Sequence, residues 1–156
     1  MQATSSRASR RSISPELAAA ILPVQEAAAR LKRRCGRFEI YDFLGTIYRV
    51  YTGWKRRKIA KRSASRLAYE MNIFRRKGMS PIRVLIEATL PDADFKQKSR
   101  WVRALEHAYS ENVPAKGFRQ FVRRHGGLAG CARLAVQVNR KRRRPRRDCV
   151  EGDWDD

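Results

Sequence analysis

Acidic residues are in short supply. Fifteen Asp and Glu stand against 36 Lys and Arg, a formal net charge of +21. A compact body so charged repels itself, and a polyanion relieves the repulsion as counterions leave its phosphates. The shortage of acids therefore points to DNA or RNA first, an anionic membrane surface second and an acidic protein third. Cysteine is scarce too. Cys35, Cys131 and Cys149 are far apart and odd in number, which argues against a disulfide framework and suits free thiols in a reducing compartment. With only His107 and His125 beside them, no cluster has zinc-ligand spacing. No apolar run reaches the ~18 residues of a membrane-spanning helix. No phosphate-cradling glycine loop is present, since Gly126-Gly127 lacks the Lys-Ser or Lys-Thr that such loops carry. Glu106-His107 and Glu111 are ordinary surface groups that diverge on a helix. The chain is accordingly expected to be no enzyme, with no catalytic residues, no metal and no cofactor.

Sustained period-two alternation is also missing, so no sheet is expected. What is present is helical spacing. Apolar residues make up 42% of the chain, enough for a modest core. Ser14-Pro15-Glu16 reads as a helix start, with Ser as cap and Pro in the first turn. That helix should reach about Arg34, with Pro23 breaking or kinking it and Gly36 as its stop. Phe38, Tyr41, Leu44, Ile47, Tyr48 and Tyr51 mark one face of a second helix over 37–53. Ile59, Ala60, Ala64, Leu67, Ala68 and Met71 give the next a narrower apolar stripe. Ser80-Pro81 opens a short helix to Thr89, and Asp92 or Asp94 caps the one after it. Asn112-Val113-Pro114 separates that helix from one that stops at Gly126-Gly127. In the last helix Ala129, Gly130 and Ala132 should permit a close approach to its neighbour.

The expected fold is thus all-α: a compact bundle of about six or seven short helices over 14–139, with 14–90 and 91–139 as alternative lobes. Residues 1–13, Ser- and Arg-rich, read as a disordered basic arm. Arg7, Arg10 and Arg11 before the apolar run 17–24 imitate a signal peptide, and the acid-free start imitates a transit peptide, but Glu16 and Pro23 interrupt the first pattern. Residues 140–156 read as a disordered basic block followed by an acidic tail.

Charge is unevenly placed. Residues 49–83 hold twelve bases and one acid, Glu70; residues 116–147 hold twelve bases and no acid. Residues 84–115 are nearly balanced, with Lys96, Lys98, Arg100 and Arg103 against Glu87, Asp92, Asp94, Glu106 and Glu111. Single-sign stretches on helices with apolar backs suit phosphate contact. The candidate contacts are Lys55, Arg56, Arg57, Lys61, Arg62, Arg75, Arg76, Lys77 and Arg83 in the first region. In the second they are Arg123, Arg124, Arg133, Arg140, Lys141, Arg142, Arg143, Arg144, Arg146 and Arg147. Arg outnumbers Lys among them, which favours forked contacts to phosphates or guanine edges.

Two windows have helix-turn-helix character. In 63–90 the reading helix would start at Ser80 and offer Arg83, after an unusually long turn. In 114–139 the Gly126-Gly127 turn is short, and the following helix would present Arg133. Arg83 and Arg133 are the candidates for base contact. Tyr48, Tyr51, Trp54 and Tyr69 adjoin the first basic region; at helical spacing such rings are more often core, though exposed ones can stack on unpaired bases. Pro91-Asp92 and Asp94-Phe95-Lys96 resemble the magnesium-binding pattern of restriction-type nucleases, but are contiguous, and helix capping explains the same residues.

The expected function is a DNA-binding regulator or accessory factor in transcription, replication, partition or mobilisation, acting in the cytoplasm on the nucleoid, or in the nucleus of a eukaryotic or virus-infected cell. An RNA-binding structural or chaperone-like protein is the runner-up. An interaction protein or inhibitor docking on an acidic partner is third. A homodimer is compatible with all three.

Overall fold

The computed structural model describes residues 13–143, with side chains through Lys141. The arm up to Ser12, the end of the basic block and the acidic tail lie outside the described residues. Among the described residues the chain is all-α. Its helices are α1 (Pro15–Arg33), α2 (Arg37–Arg56), α3 (Ala60–Glu70), α4 (Pro81–Thr89), α5 (Phe95–Ser110), α6 (Phe118–Arg124) and α7 (Gly127–Arg143), with a single 3-10 turn (Ala115–Gly117) before α6.

One apolar cluster joins residues from Leu17 to Cys131. α4 lies at its centre and touches α1, α2, α3 and α5. Ile82, Val84, Leu85, Ile86, Ala88 and Thr89 are all buried, so α4 has almost no solvent face. α2 supplies the largest core side chains, Phe43, Tyr48 and Trp54. The Tyr48 hydroxyl donates to the Val113 carbonyl at 2.7 Å, and its ring stacks on Phe118 at 5.2 Å. A buried phenol keeps its proton in such a setting; desolvation pushes Tyr48 up to about 12.

Helix ends explain much of the connectivity. Asn72 and Asn112 adopt left-handed φ values of 54°, and Lys58 one of 58°. Each is followed by an apolar residue whose N–H donates across six residues: Ile59 to Trp54, Ile73 to Ala68 and Val113 to Ala108. Lys58, Asn72 and Asn112 donate to Lys55, Tyr69 and Tyr109 in the same pattern. These are three Schellman ends, in which the last carbonyls of α2, α3 and α5 are satisfied while an apolar side chain is turned back to the core. At the N-termini, Ser14 and Ser80 stand at the expected cap positions, but their hydroxyls make no capping bond. The proline at the first helical position marks the start instead. Ser14 N–H donates to Glu70 Oε2 at 3.0 Å, which ties the start of α1 to α3. Asp94 does cap α5, accepting from Gln97 N–H at 3.0 Å.

Four boundaries differ from expectation. α2 runs past Gly53 and the buried Trp54 to Arg56. α1 runs through Pro23 without ending; Pro23 is exposed, while Ile21 and Val24 on the buried face hold the helix together. Gly36 does not close α1 in a left-handed turn; with φ −88° it is the residue before α2. α7 continues through Arg143, so the first part of the block expected to be disordered is helical.

Candidate nucleic-acid interface

α7 packs more extensively on α5 than on any other helix, and glycines shape the turn that leads into it. Gly126 and Gly127 have φ of 75° and 78°, a turn that a side chain would strain. At Gly130 an added Cβ would overlap the His125 carbonyl oxygen. Cys131 joins the apolar core, and the small Ala132 and Ala135 are buried beside it on α7. Burial pushes the Cys131 thiol upward, as expected of a packed sulfhydryl and not of a nucleophile.

The outer side of this pair is a groove of about 720 Å³, floored by Ala129, Ala132 and Val136. Its α5 wall carries Lys96, Arg100 and Arg103; its α7 wall carries Arg133, Gln137 and Arg140. Both rows have the i, i+4, i+7 spacing that keeps side chains on one helix face. Among the described residues no acid lines the groove. A second hollow of about 690 Å³ shares Arg100 and Ala129 and adds Arg37 and Arg123. The two form a continuous cationic trough.

The acids of α5 are absent from both hollows. Asp94 is occupied as the cap. Glu106 lies close enough to Tyr51 to help desolvation raise that phenol to about 12. Glu111 acts on His107. Lys98, the remaining base of the balanced stretch, is buried, donating to Glu87 at 2.6 Å and to the Pro91 carbonyl at 2.5 Å. Folding thus sorts a nearly neutral segment into one positive face. The ion pairs among the described residues are Arg30–Asp42, Lys32–Asp92, Arg66–Glu70, Arg83–Glu87 and Lys98–Glu87. None uses a cation of the trough.

Compared with known protein families, curated proteins and solved structures, the chain matches none of them. Its own geometry is what bears on function.

The other sequence candidates distribute as follows. Arg133, Arg140 and Arg123 line the trough, and Lys141 is exposed beyond them on α7. Arg142 and Arg143 continue the helix; Arg144, Arg146 and Arg147 lie outside the described residues. Arg124 is exposed on α6. Lys55 sits over the Tyr109 ring at 5.2 Å. Arg57 and Arg62 border a separate hollow that also contains Glu16 and Arg66. Lys61 and Arg56 are exposed, and Arg75, Arg76 and Lys77 stand in the loop after α3. Arg83 is taken up internally: its Nε donates to Glu87 at 2.8 Å, its Nη1 to Ser99 at 3.2 Å, and its guanidinium covers Phe95 at 4.8 Å. The first helix-turn-helix window therefore fails as a reading unit, because its second helix is the buried α4 and its contact residue is engaged. In the second window α6 is only seven residues long, and Gly130 and Cys131 near the start of α7 are buried.

Sequence reasoning did not single out Lys96, Arg100, Arg103 and Arg37. The matching i, i+4, i+7 rows in α5 and α7 were the available signal; averaging charge over 84–115 hid it. Tyr48, Tyr51 and Trp54 are buried, so only Tyr69 of the four rings weighed for stacking is exposed. Among the described residues no three His, Cys, Asp or Glu side chains converge as a metal site, and no helix is long and apolar enough to cross a membrane.

Proposed function

We propose that this protein binds nucleic acid, with duplex DNA as the favoured partner, by seating a phosphate backbone along the α5–α7 trough. The observation that carries the reading is the set of five cations, Lys96, Arg100, Arg103, Arg133 and Arg140, lining one groove with no acid and no ion pair among the described residues. Unpaired cations held on two rigid walls repel one another, and phosphates relieve that repulsion without requiring the body to reorganise. The apolar floor and the absence of a buried polar reader suit backbone contact, which positions a protein without specifying sequence. The chain would then act as a regulator or accessory factor of DNA transactions.

The test is duplex binding across a salt series. Each lost phosphate contact lowers the slope of log affinity against log salt by about 0.9. Replacing Arg100, Arg103 and Arg133 together by Gln should reduce the slope by about 3. A slope unchanged by that triple substitution removes the trough from the interface. Stronger competition by structured RNA than by duplex DNA would move the partner to RNA.

A further inference from the structure

We infer that the loop between α3 and α4, with the outer face of α3, forms a second site that takes unpaired bases by stacking them on Phe74. This rests on the nucleic-acid reading above, and concerns which form of nucleic acid the molecule engages.

Phe74 is 82% exposed, more than any other large apolar side chain among the described residues. Two other phenylalanines are exposed, but a guanidinium of this chain covers each ring: Arg119 lies 3.9 Å from the Phe38 centroid and Arg83 lies 4.8 Å from that of Phe95. Phe74 has no such cover among the described residues. It is also not carried on a slack segment. On one side the Schellman end of α3 pins Ile73, whose N–H donates to Ala68 at 2.8 Å. On the other, Met79 N–H donates to Arg76 at 3.1 Å, closing a turn with Gly78 at φ 82°. Arg75 Nη1 donates to Ser65 Oγ and so seats the loop against the outside of α3. The backbone therefore presents the ring outward between two fixed points.

The surroundings identify the ligand chemistry. Arg75, Arg76 and Lys77 follow the ring directly, and no acid occurs between Glu70 and Glu87. Lys61 and Arg62 are exposed on α3. An exposed ring set among backbone-tracking cations suits single strands, because every base has a face to stack while phosphates meet the charges. A lipid surface would also attract the cations, but membrane anchoring draws on a broad apolar face, and one isolated ring does not provide it. In the trough, by contrast, the exposed ring, Phe95, is covered by the Arg83 guanidinium, which leaves its cations to meet a backbone. A molecule with both sites would prefer nucleic acid that is partly paired and partly open.

The experiment compares a short oligothymidylate with a duplex of equal length, by fluorescence anisotropy, using the full chain. Phe74→Ala should weaken single-strand binding about tenfold and change duplex binding less than twofold. Equal losses on both ligands, or no loss on the single strand, overturn the site. Phe74→Trp provides a direct readout: its emission should be quenched by the oligothymidylate. Absence of quenching, or a blue shift on anionic phosphatidylserine vesicles in its place, also overturns it. If the unaltered protein binds neither ligand, the nucleic-acid reading itself has failed. If duplex binding stands and responds to the trough substitutions while Phe74→Ala is silent, only the second site has failed. Phe74 is 82% exposed, so thermal melts of both variants should match the parent.

Discussion

The trough between α5 and α7 and the face formed by α3 with its loop are both cationic, but they are made in different ways. The trough is assembled by packing. Three of its seven cations come from a segment whose sequence is nearly neutral, and it exists because Gly130 lets the start of α7 lie against the His125 carbonyl at the end of α6 and because the α5 acids are directed elsewhere. The α3 face is made locally. Its bases follow one another in the chain, and its shape is set by a helix end and a tight turn. The lesson is that a run of like charge locates a binding surface only when the surface is local. A surface shared by two helices depends on which residues face the seam.

That contrast can be broken most forcefully at Gly130. Gly130→Ala drives a methyl into the His125 carbonyl and should cost roughly 2–4 kcal/mol of stability. Chemical denaturation reads the loss. Below the unfolding transition, duplex affinity should fall while single-strand affinity at Phe74 holds. A fully stable Gly130→Ala protein would show that the trough does not depend on this close approach.

A smaller effect is expected from pH. His107 is buried on α5 with Nδ1 lacking a hydrogen-bond partner, 5.7 Å from the Phe121 ring and 6.2 Å from that of His125. Burial lowers its pKa from 6.5, and His125 adds to the lowering while Glu111 opposes it. The unfolded chain therefore binds a proton at higher pH than the fold does. The stabilisation is present above pH 6.5 and is lost as pH falls toward the lowered folded value. Melting temperature should decline over that interval, and His107→Gln should flatten this part of the profile. An unchanged profile would leave His107 without influence on the α5–α6 packing beneath the trough.

The smallest effect belongs to the local surface. Asn72 occupies a left-handed conformation, so Asn72→Ala should cost about 1 kcal/mol, whereas Asn72→Gly should cost nothing. If the loop geometry presents Phe74, single-strand affinity should follow the same order: lowered by Ala, kept by Gly. Equal affinity in both variants would mean that the helix end does not position the ring.

Much of the fold was legible in advance because its determinants are local. Proline after serine marked the starts of α1 and α4, Asp92 or Asp94 marked that of α5, and Gly126-Gly127 marked the turn into α7. The course of α1 through Pro23 was not, since a proline exposed on the outer face is tolerated once buried neighbours hold the helix. The site was legible only in part. Arg123, Arg133 and Arg140 belong to acid-free sequence and line the trough. Arg83 belongs to equally basic sequence, yet Glu87, Ser99 and Phe95 occupy it. Phe74 drew no notice because a lone phenylalanine in a loop has no periodicity to mark it, and its exposure emerges only when nothing packs over it.

By itself the sequence determined an all-helical chain with a large positive excess, and where most helices begin and end, because capping, helical spacing and net charge act over a few residues. Only the tertiary structure decided which cations remain open. Helix packing selects which face of α5 meets α7, which arginines find acids across a helix seam and which aromatic rings are covered. Those pairings join residues far apart in the chain, and no local pattern encodes them.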